Sequence, residues 1–329
     1  MHYLESDSVD PRFNLALEQV VFDSLDPAQD CFMLWRNDNA IIVGKHQNTA
    51  AEINAEYVRQ RNIHVVRRLS GGGAVYHDLG NVNFTFITAA GGDRPLDFGA
   101  FCRPVVRALA ALGVTAEISG RNDMTIGGRK FSGNAQYRKR GRVLHHGTIL
   151  YDSDLSVLGK ALMVPKDKYE SKAVQSVRSR VCNIRDHMAA DLGVERFMEE
   201  LRDAMFREFA MEPHALSAAD RDATRRLQRD VYDTWAWNFG ESPAYRIRKE
   251  RRVDGCGKIE VHMDVERGTI RRIAFFGDYF GDGDSAELGR LLEGARLERG
   301  CLRETLAAIA IGDYFHNLDP EAFVDILTE

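Results

Sequence analysis

Three consecutive glycines, Gly71-Gly72-Gly73, follow closely on the β-prone run from Ile63 to Arg68. No regular element continues through such a triplet, because each glycine adds backbone freedom and removes a side chain that could pack. The flanks are Arg67-Arg68-Leu69-Ser70 on one side and Ala74-Val75-Tyr76-His77-Asp78 on the other. On its own a glycine triplet is an ordinary flexible turn. With these flanks it is better suited to hold an anion or a carboxylate: N–H groups unobstructed by Cβ atoms can turn toward one point, and two arginines can add charge-assisted bonds. Neither the GxxxxGK[ST] spacing of a P-loop nor a GxGxxG opening a helix is present.

Around this break the pattern alternates strands and helices. Strands are expected from Cys31 to Arg36 and from Ala40 to Gly44, joined by the turn Asn37-Asp38-Asn39, and again from Asn81 to Ile87. A helix is expected from Ala51 to Gln60 and another from Phe98 to Leu112, stopped by Gly113. Strands follow near Thr115 to Ile118, Met124 to Ile126, Lys130 to Tyr137 and Val143 to Tyr151, and Asp154 should cap a helix through Leu162. The span from Val164 to Arg180 has no periodicity and reads as a long polar loop, of a length that is usually functional or disordered. Helices are expected from Val194 to Phe209 and from Ala218 to Arg229. After Ser242-Pro243 come three strands (Tyr245 to Arg252, Lys258 to Val265, Ile270 to Gly277) and two or three helices. A length of 329 residues suits two domains, and the boundary is placed near Glu241: residues 1–241, then 242–329.

Composition removes several classes. With 44% hydrophobic and 28% charged residues and only 8 Pro, the chain is neither collagen-like nor disordered. No apolar run approaches the roughly 18 residues of a membrane span, and the opening Met-His-Tyr-Leu-Glu-Ser-Asp lacks the basic and apolar regions of a secretory signal. A cytoplasmic location is expected. Five scattered cysteines, with no CxxC pair, support neither a disulfide framework nor a zinc site. They read as small buried hydrophobes. The net charge of −5 argues against a dedicated nucleic-acid binder. Yet Arg121 to Arg185 carries 14 Lys/Arg against 5 Asp/Glu, a local +9 that leaves −14 on the remainder. Such a segment is either a solvated basic face or a site for a phosphate or an acidic partner.

Two further stretches fall inside it. In Arg121-Asn122-Asp123-Met-Thr-Ile-Gly127-Gly128-Arg129-Lys130-Phe131-Ser132-Gly133, a carboxylate and an ammonium stand seven residues apart across a Gly-Gly turn. That is an ordinary hairpin with a surface lysine, or a pair brought to one ligand, with Asp123 holding Mg²⁺ beside phosphates. In His145-His146-Gly147-Thr148 the two imidazoles face opposite sides of a strand. That argues against a shared metal; at most one faces a site, and a core hydrogen bond is the plainer role. GxSxG and HExxH are absent, and no cysteine lies between Cys102 and Cys182 to serve as a nucleophile near Lys130.

Taken in order, Arg67-Arg68-x-Ser70-Gly-Gly-Gly-Ala-Val-Tyr76-His-Asp, Gly80-Asn81, Asn122-Asp123, Lys130-Phe-Ser-Gly133 and His146-Gly-Thr resemble the lipoate–protein ligase A family. Ser176-Val-Arg178-Ser-Arg180-Val181 and Trp235-Ala-Trp237-Asn238-Phe239-Gly240 resemble later blocks of the same ligases, so the resemblance covers nearly the whole chain. The early motifs are shared with octanoyl transferases. Biotin protein ligases share the fold, but their Gly-Arg-Gly adenylate loop is missing.

The resemblance implies an α+β fold: a biotin/lipoate ligase-like catalytic domain of mixed β-sheets flanked by helices, plus a small α/β C-terminal domain. It implies an ATP-dependent ligase that converts free lipoate to lipoyl-AMP and passes the lipoyl group to a lysine of a lipoyl domain. Acceptors would be the acyltransferase subunits of 2-oxoacid dehydrogenases, the H protein of glycine cleavage, or both. No nucleic acid or membrane partner is implied, and a monomer is the default. The implied catalytic residue is Lys130. The implied ATP site comprises Arg68, Gly73, Ala74, Val75, Tyr76, Asn122, Asp123, Lys130, Arg178 and Arg180, with Mg²⁺ at Asp123. The implied lipoate site comprises Arg68, Ser70, Gly71, Gly72, Gly73, His77, Lys130 and His146. One departure is Cys182, where Thr or a similar small residue is expected. Two alternatives stand beside this reading: a transferase using a cysteine thioester without ATP, and a non-catalytic nucleic-acid-binding module. The latter would need aromatic residues among the basic ones, and Tyr137 and Tyr169 are few.

Overall fold

The computed structural model describes residues 1–47, 49–90, 97–120, 122–162, 180–239, 247–266 and 268–328. The chain divides into two compact units: Met1–Val43, Ala50–Arg68 and Val75–Asn238 form the first, and Gly44–Thr49, Leu69–Ala74 and Phe239–Glu329 the second. The expected linker at 241–243 and the polar loop from 164 to 180, Arg180 excepted, lie outside the described residues.

Strands of the first unit are β1 (His2–Glu5), β2 (Cys31–Trp35), β3 (Ala40–Val43), β4 (His64–Arg67), β5 (Val75–His77) and β6 (Asn81–Ala89). They continue with β7 (Glu117–Ser119), β8 (Asp123–Ile126), β9 (Arg129–Lys139), β10 (Arg142–Leu150) and β11 (Glu212–Pro213). Eight of them form one sheet in the order β11-β1-β2-β6-β10-β9-β8-β7, and β4-β3-β5 form another. Pairing is parallel at β1–β2, β1–β11 and β3–β4 and antiparallel at β2–β6, β6–β10, β9–β10 and β3–β5. Both sheets are mixed and flanked by helices, an α+β architecture. The turn at Asn37–Asn39 carries the chain from the large sheet into the small one. Asn39 takes φ +40° there, a conformation asparagine tolerates better than most residues.

Successive β2 residues point to opposite faces. Phe32 and Leu34 join a core with Phe84, Phe86, Leu109, Phe131, Phe197 and Leu201, while Cys31, Met33 and Trp35 join a second with Leu15, Leu17, Phe22, Leu144 and Tyr232. Two buried faces explain why β2 reads as a continuous apolar run, whereas β6 alternates polar and apolar residues. Truncating a fully buried phenylalanine such as Phe84 or Phe131 costs about 3–5 kcal/mol. The helix Pro11–Ser24 closes the second core. It begins with proline after Asp10, whose carboxylate accepts the Arg12 N–H at 2.9 Å. The helix Phe98–Ala111 has Asp97 as its cap and Gly113 at φ +82° beyond its end. The single helix expected from Ala51 to Gln60 is two, Thr49–Glu52 and Ala55–Gln60, because Asn54 starts a new N-terminus by accepting the Tyr57 N–H.

The second unit has the antiparallel meander β12 (Ile247–Val253), β13 (Gly257–Glu266) and β14 (Thr269–Gly277). Helices Ser285–Leu292, Arg299–Leu306, Ile311–Tyr314 and Pro320–Thr328 accompany it. Ile259, Val261, Phe275, Leu288, Phe315 and Phe323 fill its core. Among the described residues, no helix is long and apolar enough to cross a membrane.

Candidate active site

The β8–β9 hairpin turns on Gly127 and Gly128, both at positive φ (+55° and +75°). Its register slips by one residue beside Thr125, which pairs with Lys130. An extra residue on one strand re-aims the side chains near it, and the Lys130 ammonium lies 2.7 Å from Asp123 Oδ1. Both groups remain more than one-third exposed. Gly133 keeps the room clear: a Cβ there would stand 3.0 Å from Lys130 Nζ. Alongside, Val181 bridges Lys130 in parallel and the Cys182 N–H donates to the Lys130 carbonyl at 2.9 Å. Arg180, just before them, is exposed, while Arg178 lies outside the described residues. The Asn122 side chain donates to the Asn134 carbonyl at 2.7 Å, and its own carbonyl accepts from Asn134 N and Nδ2. Asn122 thus ties the approach to Asp123 into the sheet.

Mg²⁺ keeps most of its waters and is usually held by one or two carboxylates plus substrate phosphates. Among the described residues no three His, Cys, Asp or Glu cluster around one point. Asp123 fits as a single protein ligand beside phosphates, with its ion pair to Lys130 competing for the same oxygen.

Arg68, His77 and His146 belong to a buried polar cluster of the first unit. Arg68 donates to the Ile42 carbonyl at 3.0 Å, and burial brings its pKa down to about 10, so it stays charged at neutral pH. Glu18, fully buried on the inner side of the Pro11–Ser24 helix, holds His146 Nδ1 at 2.9 Å and the Thr85 hydroxyl at 2.6 Å. Trp35 Nε1 donates to the same hydroxyl at 3.0 Å. Burial, reinforced by Arg68 and His146, pushes the His77 pKa down to about 3, and this imidazole is neutral. His145 turns the other way, stacking on Phe101 between Gln136 Nε2 and Asn134 Oδ1. That leaves His146 on the side of Glu18. Tyr76 donates its hydroxyl to Asn39 at 3.2 Å.

Arg67 plays a different part from the anion-binding one its place beside the glycines suggested. Its Nε donates to the Trp237 carbonyl at 2.9 Å, its N–H to Asn238 Oδ1 at 3.0 Å, and its carbonyl accepts from Trp237 Nε1 at 2.9 Å. The Trp-x-Trp-Asn block is what anchors this arginine.

The glycine loop belongs to the second unit. A Cβ on Gly71 would stand 2.5 Å from the Tyr279 carbonyl, Gly72 has φ +89°, and a Cβ on Gly73 would meet nothing within 4 Å. The Ser70 carbonyl accepts from Lys45 N at 2.8 Å, and the His46 ring stacks on Tyr279 with centroids 4.5 Å apart. The triplet is thus a glycine pair required by close packing and backbone conformation, followed by one open position.

Glu18 and Thr85 are not singled out by the sequence, and Asn37 enters there only as a turn residue. Glu18 did leave a signal, a lone carboxylate among Leu15, Ala16, Leu17, Val21 and Phe22 on the apolar face of one helix. Asn37 and Thr85 left none.

Residues 10–206 match the lipoyl protein ligase A/B catalytic domain family, and residues 242–327 match the bacterial lipoate protein ligase C-terminus. Among relatives, the lipoate-protein ligase LplJ of Bacillus subtilis is 42% identical over 331 residues, covering 99% of this chain and 100% of that one. A crystal structure of a lipoate-protein ligase A bound with ATP superposes with TM-score 0.62 at 27% identity, covering 73% of this chain and 98% of that one. A bi-partite lipoate protein ligase of Thermoplasma acidophilum, from an analysis that includes its E2 lipoyl domain, gives TM-score 0.65 at 28% identity, over 75% and 98% of the two chains.

Proposed function

This chain belongs to the lipoate–protein ligase family and is an enzyme of that type, and on that premise we propose that it couples free lipoate to protein in two ATP-dependent steps. In the first, a lipoate carboxylate oxygen attacks the α-phosphorus of ATP. The bond from that phosphorus to the β-phosphate bridging oxygen breaks, and pyrophosphate leaves. In the second, the neutral amine of an acceptor lysine attacks the acyl carbon of lipoyl-AMP, AMP departs, and the nitrogen gives up a proton.

The observation that carries this reading is the half-exposed Lys130–Asp123 pair on a hairpin whose Gly133 leaves the ammonium unobstructed. Joining a carboxylate to a phosphate brings two anions together, and charge builds on the phosphoryl oxygens in the transition state. Lys130 supplies a fixed positive charge there, released from Asp123 toward the incoming anions. Magnesium, held by Asp123, would neutralise phosphate charge when bound. Arg68 adds a second cation, this one buried, and the cluster of Glu18, His77, Thr85 and His146 lines the acyl end. Val75, Tyr76 and Arg180, all of the first unit, complete the nucleotide side in this reading.

The partners in this reading are lipoyl domains, met in the cytoplasm by a monomeric enzyme. A ligase bound with ATP and another studied with its E2 lipoyl domain, both similar to this chain, support the nucleotide and the acceptor class. The thioester route is disfavoured by Cys182: its sulfur is buried against the Arg129 carbonyl, and burial pushes its pKa up. A buried, protonated thiol is a poor nucleophile. The deciding experiment measures pyrophosphate released from ATP on addition of free lipoate, then a lipoyl-sized mass gain on an acceptor lysine. Lipoylation without ATP consumption would return the transferase reading.

A further inference from the structure

His77 ends a chain of side-chain amides that fixes where its proton sits. Asn14 Nδ2 lies 2.9 Å from the Ser8 carbonyl and 2.8 Å from the Arg36 carbonyl. Both oxygens only accept, so this corner of the Asn14 amide is the NH₂ group. The Asn37 atom 3.0 Å from it is Oδ1, which shares one of these two hydrogens, because Nδ2 in that place would set two donors face to face. That leaves Asn37 Nδ2 facing His77 Nδ1 at 3.1 Å. An amide NH₂ can only donate, so Nδ1 must offer its lone pair and the imidazole hydrogen is on Nε2. Asn14, Asn37 and His77 are all at least nine-tenths buried, and the Ser6 hydroxyl, 2.6 Å from Asn14 Oδ1, closes the far end.

The other ring nitrogen is the anomaly. His77 Nε2 is buried with no hydrogen-bond partner among the described residues, although a buried donor left unpaired is costly. Protonating Nδ1 would give Nε2 no acceptor and would set a second hydrogen against the Asn37 NH₂ group. Arg68 and His146 are its electrostatic neighbours, and the Trp35 ring stands edge-on with centroids 6.3 Å apart. A donor built this firmly, in the cluster assigned to the acyl end, is suited to an acceptor that arrives with a ligand.

We propose that Asn14 and Asn37 are positioning residues that fix His77 as an Nε2–H donor, and that an acceptor atom of the acyl substrate receives this hydrogen. The proposal rests on the reading of the chain as a lipoate ligase. Two acceptors on such a substrate qualify, the carboxylate oxygens and the dithiolane sulfurs.

The test is a long-range ¹⁵N–¹H spectrum of the full chain with labelled histidine, the His77 signals assigned by their loss in His77→Gln. In the free protein Nε2 is expected protonated and Nδ1 bare. A proton on Nδ1 would overturn the relay. Saturating lipoate should move the Nε2 resonance. An equal movement with octanoate assigns the contact to the carboxylate, and movement with lipoate alone assigns it to sulfur. No movement with either acid, while calorimetry still registers lipoate binding, overturns the donor role and leaves the ligase reading intact. Absence of lipoate binding and of pyrophosphate release would instead remove the ligase reading. In Asn37→Asp the new carboxylate accepts from Nδ1 and draws the proton there. Where Nε2 is thereby left bare, lipoate should bind at least tenfold more weakly, with circular dichroism confirming that the variant is folded. Full affinity with Nδ1 protonated and Nε2 bare would overturn the proposal. Should that variant fail to fold, the wild-type spectrum and titration decide alone.

Discussion

Lys130 and Asp123, on neighbouring strands of one hairpin, hold an ion pair at 2.7 Å with both side chains more than one-third exposed. Such a pair contributes only about 0–1 kcal/mol to stability, so its value lies in what else the ammonium can reach. Lys130→Ala is expected to leave the denaturant midpoint nearly unchanged while slowing lipoyl-adenylate formation by about 10²–10³-fold, the usual cost of one preorganised charge. Pyrophosphate release and equilibrium unfolding on the same preparation check both halves. Near-normal adenylation would take Lys130 out of the mechanism.

Asp123→Asn separates metal from lysine. If Asp123 supplies the protein ligand to magnesium, the variant should need about tenfold more metal for half-maximal adenylation, with lipoate affinity little changed. A metal titration of the adenylation rate reads this directly, and an unchanged curve would make the carboxylate a partner of Lys130 only.

Two buried imidazoles predict how stability depends on pH. Burial pushes the His77 pKa down to about 3 and holds His145 well below the ordinary histidine value. In the unfolded chain both take up protons near pH 6.5. Between about 3 and 6.5 the unfolded state therefore binds more protons, and stability falls as the pH drops through that window. Above it their contribution is fully present. Each histidine adds a slope of up to about 1.4 kcal/mol per pH unit. Urea unfolding at pH 7.5, 5.5 and 4.5 should show the loss, and His77→Gln should flatten it. Because carboxylates act with the same sign, the wild-type minus variant difference is the informative quantity.

The three glycines should respond differently to alanine. Gly71→Ala drives a methyl to 2.5 Å from the Tyr279 carbonyl and should cost about 1–3 kcal/mol. Gly72→Ala, at φ +89°, should lose about 1–2 kcal/mol to backbone strain. Gly73→Ala meets nothing within 4 Å, and its melting temperature should match the parent's. Reduced ATP-dependent activity in that variant alone would place Gly73 against substrate.

A fragment ending at Glu241 loses Tyr279, the neighbour of Gly71. If the fragment folds, as circular dichroism would establish, it should fail to form lipoyl-adenylate from ATP yet still transfer from supplied lipoyl-adenylate. Full ATP-dependent activity would make the C-terminal residues dispensable for activation.

What could be read from sequence was what neighbours in sequence determine. The Gly127-Gly128 turn makes a hairpin nearly unavoidable, and a hairpin is what carries Asp123 to Lys130. The alternation at Asn81–Ala89 and the stop at Gly113 are equally local. Arg67 could not be read this way, because its partners Trp237 and Asn238 stand 170 and 171 residues away. Nor could the start of a new helix at Asn54, where one side-chain cap outweighs a run of good helix formers. His77 was marked by its motif, but the direction of its proton depends on Asn14 and Asn37, which reach it only through the fold. The two imidazoles of His145-His146 were separable by strand alternation. That both would be buried, one against Glu18 and one against Phe101, depended on distant helices.

The packing of Gly71 on Tyr279 also sets an order of events during synthesis. The glycine loop is translated early, but its neighbour follows about 200 residues later. At roughly 5–20 residues per second, about 10–40 s pass before Tyr279 is even made. The nascent chain therefore carries the glycine loop without this packing partner for most of its time on the ribosome, and the last quarter of the chain acts as the timer that decides when it can settle.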